Sequence, residues 1–257
     1  MDYAHLSSTV AIKTIQEDDK NGIFEIEGLY AGYGLTVGNA LRRALLSSLP
    51  GAAVTEIKVK NVPHEFSTLP GLKEDIVELM LNFKKLRFIV HVDEPQVLAL
   101  RIKGERTVTA ADIELNSNVA LITPEEVLGH LTAKDAELDV EVKVERGLGY
   151  VPVESRKTEG RLPIGVIAID AIFTPVRRVN YTVEDMRVGD RTDYNRLRFE
   201  ITTDGTVSPS AALHKAANVL VDHFAKLAQV EVKEIEAPAE TKEPARKRAS
   251  KKEKETE

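Results

Sequence analysis

Two apolar helical stripes stand at the ends of a long stretch patterned for strands. No other feature of the sequence constrains the fold as strongly. The first helix is predicted from Thr36 to Leu49. At about 100° per residue, Val37, Leu41, Ala44, Leu45 and Ser48 share one side, while Asn39, Arg42, Arg43 and Leu46 fall roughly opposite. Thr36 is placed to cap this helix, and Pro50-Gly51 stops it, because the residue before a proline avoids helical angles. The second helix opens at Ser208, an N-cap residue followed by a proline at the first helical position, and runs to about Gln229. Its stripe is Leu213, Ala216, Ala217, Leu220, Phe224, Leu227 and Ala228, with Lys215, Asn218, Asp222 and Lys226 on the other side. About 20 residues of helix make that stripe roughly 30 Å long.

Each stripe has two readings. Either it covers the chain's own sheet, or part of it meets a second chain. On the first helix, two arginines flank a leucine on the side a monomer would turn to solvent. That is either a solvated face with one stray leucine or a protein contact, since arginine and apolar residues are enriched in interface cores.

Between the helices the periodicity changes to two. Leu98, Leu100 and Ile102 alternate, as do Leu138, Val140, Val142 and Val144, each set marking a half-buried strand. One helix interrupts, predicted near Leu72 to Phe83, with Ile76, Leu79, Met80 and Phe83 on one face. Outside this middle, Val10, Ile12 and Thr14 begin a strand, residues 18–22 turn, and Ile23 to Tyr30 return. Leu197, Phe199 and Ile201 form a further strand ending at an Asp204-Gly205 turn. The class is α+β.

Residues 237–257 differ from everything before them. They hold two prolines, no aromatic residue, seven basic and five acidic side chains, so this segment carries +2 and leaves the rest at −8 of the total −6. Such a segment buries too little apolar surface to offset its ordering entropy, and it is expected to be disordered. The acidic balance argues against general nucleic-acid binding. The absence of cysteine excludes disulfides, thiolate metal sites and a cysteine nucleophile. No run approaches a membrane span and no basic-then-apolar leader is visible, so a cytoplasmic protein that does not engage membranes is expected.

The chemistry-bearing motifs are few. Gly32, Gly34 and Gly38 follow a strand and open a helix, which suggests a nucleotide-binding enzyme. The spacing is G-x-G-x-x-x-G rather than G-x-G-x-x-G, however, and no acidic residue follows at the expected distance. The competing reading is a glycine turn that lets strand and helix pack closely. No phosphate loop or nucleophile elbow is present, and none of the six histidines pairs at i, i+4. His64 and Ser67 read as local hydrogen bonding in a loop. No catalytic residue and no metal site are predicted.

The block from Gly32 to Ala52, GYGLTVGNALRRALLSSLPGA, resembles the signature of the bacterial RNA polymerase α subunit family. His64–Thr68, Glu74–Ile76, Leu81–Lys84, Gly149–Pro152, Thr174–Val176 and Arg191–Asp193 agree in order, so the resemblance runs from about Val10 to Ala228. It implies a discontinuous dimerisation domain (1–51 with 171–236), built of an antiparallel sheet and two long helices, with a mostly β domain inserted at 52–170. It implies a homodimer that nucleates assembly of the polymerase β and β′ subunits, with dimer contacts from Val37, Leu41, Ala44, Leu45, Leu213, Ala217, Leu220, Phe224 and Leu227. It also implies contact with β through Arg42, Arg43 and Leu46, and further assembly contacts at Glu78 and Lys84. The chain would be a non-catalytic subunit of a nucleotidyltransferase complex, with no cofactor of its own and catalytic magnesium on the large subunits. The family's small helical DNA-binding C-terminal domain has no counterpart before Glu257, so no sequence-specific DNA binding is expected here. Deleting 237–257 is expected to leave dimer and assembly unchanged.

Overall fold

A computed structural model describes residues 8–156, 163 and 165–231. The charged segment 237–257 lies outside them. The chain opens with β1 (Ala11–Glu17), β2 (Asn21–Leu29), α1 (Tyr33–Ser47) and β3 (Pro50–Val59). There follow α2 (Ile76–Lys85), β4 (Phe88–Val90), β5 (Gln96–Lys103), β6 (Arg106–Thr109) and, after a single 3-10 turn, β7 (Val119–Leu121), β8 (Val127–Leu131) and β9 (Glu137–Leu148). The remainder is β10 (Tyr150–Val151), α3 (Val153–Arg156), β11 (Val166–Ala168), β12 (Ala171–Ile172), β13 (Val176–Val188), β14 (Arg191–Thr203) and α4 (Pro209–Leu227).

These elements make an α+β fold with antiparallel sheets. The first sheet has the order β1-β2-β14-β13, joining both ends of the described chain, and α1 and α4 lie against it. The second has the order β5-β9-β3-β4-β7, with β11 also on β3. The two large hydrophobic cores correspond to these two larger sheets, beside which β10-β12 and β6-β8 form two-stranded ones. One core draws on residues from Phe24 to Leu49 and from Val176 to Ala216, the other on residues from Ala52 to Ile169.

Period-two patterning decides which face each strand buries. Leu138, Val140, Val142 and Val144 are fully buried, as are Leu197 and Phe199, with Ile201 almost so. Phe24 and Ile26 sit opposite Phe199 and Leu197, so the two strands contribute one apolar face. The alternate residues carry charge. Glu25 pairs with Arg198 at 3.5 Å, and Glu27 with Lys13 at 2.6 Å and Arg196 at 3.4 Å. Asp18 accepts from the amides of Lys20 and Asn21 and fixes the β1–β2 turn.

Two helix starts differ from the sequence expectation. α1 begins at Tyr33, three residues before Thr36, behind Gly32 at φ 83°. The left-handed entry is available to glycine at little cost, and it overrides the hydroxyl cap. α2 begins at Ile76 rather than Leu72, because Leu72 is held in a bridge to Leu131 while Asp75 accepts from the Glu78 amide and caps the helix. α4 begins as expected, with Ser208 accepting from the Ala211 amide and Pro209 in the first turn.

Candidate functional site

The glycines of α1 serve packing. A Cβ at Gly34 would sit 2.6 Å from Val183 Cγ1, and one at Gly38 would sit 2.9 Å from the Tyr181 ring and 3.1 Å from Leu197. Side chains there would push α1 off β13 and β14. The helix N-terminus is also occupied. Asn195 Oδ1 accepts from the amides of Gly32 at 2.9 Å and Gly34 at 3.3 Å, and its Nδ2 donates to Asp185 at 3.1 Å. A phosphate needs those amides free. An open groove of about 950 Å³ runs alongside, walled by Leu35, Arg42, Tyr181 and Asp185, but the anion-binding donors are already used. The nucleotide reading therefore has no support, and the close-packing turn is what the chain builds. Asn195 carried a signal in sequence: it stands two residues before Leu197 in the core-facing register, where a polar residue requires partners.

Burial sorts the residues predicted for self-association. Leu41, Ala44 and Leu45 are 7%, 5% and 0% exposed, packed in the chain's own core. The sheet beneath α1 has already taken these three from water in the single chain. Val37, Leu213, Ala217 and Leu220 are half-buried against the same core. Phe224 and Leu227 are 60% and 67% exposed, and Val221 and Val230 beside them 63% and 72%. The α4 stripe thus starts on the sheet, where Ala212 and Ala216 are fully buried, and runs off it. Every residue from Val221 to Glu231 is exposed.

The outer face of α1 is arranged differently. Asn39, Arg42 and Arg43 are exposed, while Leu46 is half-buried against the core rather than free. Among the described residues neither Arg42 nor Arg43 pairs with a carboxylate, whereas Arg146, Arg191, Arg196 and Arg198 all do. Two uncompensated guanidinium groups on a rigid helix are suited to bidentate capture of carboxylates from another molecule.

On α2, Glu78 is exposed, and Lys84 is engaged within the chain. Its Nζ lies 3.1 Å from Asp170 Oδ2 and 5.9 Å from the Tyr150 ring. The Asp170 carboxyl is held below its ordinary value by the Val153 amide, with Lys84 and the Tyr150 hydroxyl adding to the effect. A carboxyl with a depressed folded-state pKa contributes stability above its unfolded value and loses it as pH falls through the folded one. Lys84→Ala is expected to move the Asp170 midpoint up toward its ordinary value of 3.8, read by NMR titration of the carboxyl carbon. An unmoved midpoint would show that the amide and the Tyr150 hydroxyl set it without Lys84.

His64 and Ser67 form the local bond expected of them, 3.1 Å from Nδ1 to Oγ. Among the described residues no group of three or more His, Asp or Glu is placed to hold a metal ion. No helix among them is long and apolar enough to cross a membrane. Sequence reasoning also missed the Arg87–Asp204 pair, 3.3 Å apart, with side chains 11% and 4% exposed. Arg87 stands between α2 and β4, and Asp204 between β14 and α4, so this pair joins the two cores. Its only sequence trace was an Asp-Gly turn.

Comparison with known proteins agrees with this geometry. The family model described as "RNA polymerase Rpb3/RpoA insert domain" matches residues 56–174, the stretch that supplies the second core. The DNA-directed RNA polymerase subunit alpha of Symbiobacterium thermophilum is 48% identical over 210 residues, 82% of this chain and 66% of the relative. Those of Carboxydothermus hydrogenoformans and Alkaliphilus metalliredigens are 48% and 45% identical, covering 83% and 84% of this chain and 67% and 68% of their own lengths. The chain thus spans about two thirds of the length of the curated relatives it matches. At 45% to 48% identity over more than four fifths of its length, the chain belongs to the family of DNA-directed RNA polymerase α subunits.

Proposed function

We propose that this chain is a non-catalytic scaffold of RNA polymerase: it pairs with a second copy of itself and then captures the β and β′ subunits. The observation that carries this reading is the run of exposed Val221, Phe224 and Leu227 on a helix whose other half is rooted in the core, with Val230 also exposed just past its end. A row of large apolar side chains left in water is costly, and a two-fold partner covers it with the identical row. The two unpaired arginines of α1 supply the second contact, with β, and Leu46 supports them from below. Glu78 on α2 is a further candidate for assembly. In this reading nucleotide chemistry and its magnesium belong to the large subunits, the chain itself holds no cofactor, and the complex works in the cytoplasm.

Co-purification tests the β contact. Arg43→Ala alters an exposed position, so folding is expected to change by no more than about 0.5 kcal/mol. Recovery of β with the tagged variant is expected to fall about thirtyfold, the equivalent of roughly 2 kcal/mol at an interface arginine. Undiminished recovery would remove Arg43 from the contact.

A further inference from the structure

The turn from β9 to β10 exposes two large apolar side chains, neither of them among the contact residues expected from the sequence. Leu148 and Tyr150 are each 56% exposed, on either side of Gly149 at φ 62°. The placement of this turn is what matters. Leu148 lies opposite Pro50 in the β3–β9 ladder, just beyond the end of α1, and a Cβ on Gly149 would come within 3.9 Å of the Ser47 carbonyl at that end. On its other side, Tyr150 lies under Lys84 of α2, and Leu81, one turn earlier on α2, is 54% exposed. The turn therefore joins the C-terminal end of α1 to the exposed face of α2.

Several interactions hold this turn rigid. The carbonyl of Gly149 accepts from the amides of Phe173 and Thr174, and Tyr150 and Val151 pair with Ile172 and Ala171. Asp170 takes the Lys84 ammonium and the Val153 amide. Exposed apolar side chains on a fixed backbone lose little conformational entropy when covered, which favours a docking surface. Arg42 and Arg43 stand on the neighbouring helix without carboxylates among the described residues. Charge at one end and apolar area at the other is the composition of an interface centre with its flank.

We propose that Leu148 and Tyr150 form the apolar flank of the surface that carries Arg42 and Arg43, so that one partner, presenting carboxylates to the arginines and an apolar patch beside them, spans both halves of the fold. This rests on the reading of Arg42 and Arg43 as the contact with β, and β is the partner meant. Such a partner fixes how the two cores sit relative to each other as well as binding them.

The test uses the full chain co-expressed with β, comparing Leu148→Ser, Tyr150→Ser, Tyr150→Phe and Arg43→Ala. The two serine variants are expected to lower recovery of β about tenfold while leaving the homodimer and the circular dichroism unchanged. Tyr150→Phe, which keeps the ring and loses the bond to Asp170, is expected to restore recovery relative to serine. If both serine variants recover β fully while Arg43→Ala does not, the flank is rejected and the arginine contact stands. If Arg43→Ala also recovers β fully, the reading beneath the proposal falls with it. Should a serine variant misfold, hydroxyl-radical labelling of Leu148 and Tyr150 in the wild-type complex decides the question, with labelling undiminished by β overturning the proposal.

Discussion

Phe224→Asp is expected to dissociate the homodimer without unfolding the chain. Phe224 is 60% exposed in the single chain, and its neighbours Val221 and Leu227 are equally uncovered, so a charge there meets water and costs the monomer little. In the dimer proposed above the same position would be covered, and an aspartate would be buried without a partner. That is expected to cost at least about 3 kcal/mol, roughly two orders of magnitude in dissociation constant. Sedimentation velocity at micromolar concentration reads the result: dimer for the natural chain, monomer for the variant, with the same helix content. A variant that stays dimeric would move the interface away from the second half of α4. Leu220→Asp makes a useful contrast. Leu220 packs against the chain's own core, so its replacement is expected to damage both the dimer and the monomer fold.

The second large effect is expected at the junction of the two cores. Asp204 is almost wholly buried, and its two oxygens have separate duties. Oδ1 accepts from the amide and hydroxyl of Thr206 at 3.0 and 2.6 Å, while Oδ2 faces Arg87 at 3.3 Å. Arg87 Nε makes an ion-pair contact here rather than an aligned hydrogen bond, so charge, more than directionality, holds the two together. Burial presses the Arg87 pKa below its usual value, with Asp204 acting in the opposite sense, but an arginine stays charged throughout the ordinary pH range. Arg87→Ala leaves the Asp204 carboxylate buried and unpaired, and a loss of about 3 kcal/mol is expected in urea unfolding. Arg87→Met combined with Asp204→Asn is expected to recover most of it, because no charge is then left buried. A loss under about 1 kcal/mol for Arg87→Ala would mean that water reaches the pair and that packing alone joins the cores.

The sequence by itself determined which residues face inward along each element. Val140, Val142 and Leu197, Phe199 could be placed because a strand alternates faces and a buried face is mostly apolar, admitting a polar residue only where it finds partners, a rule that needs no knowledge of the partner strand. Ser208-Pro209 located the start of α4 for the same reason: capping is local chemistry. The helix stripes were legible too, but not what covers them. Leu41, Leu45, Phe224 and Leu227 look alike on a helical wheel, and only the sheet order β1-β2-β14-β13 puts the first two against the chain's own strands and leaves the last two in water. Tertiary structure likewise decided the start of α1, where a left-handed Gly32 and the long-range carboxamide of Asn195 displaced the expected threonine cap. It decided the Arg87–Asp204 junction and the Leu148–Tyr150 turn as well. Each of these depends on groups far apart in the chain being brought within a few ångströms, and periodicity along one segment carries no record of such distances.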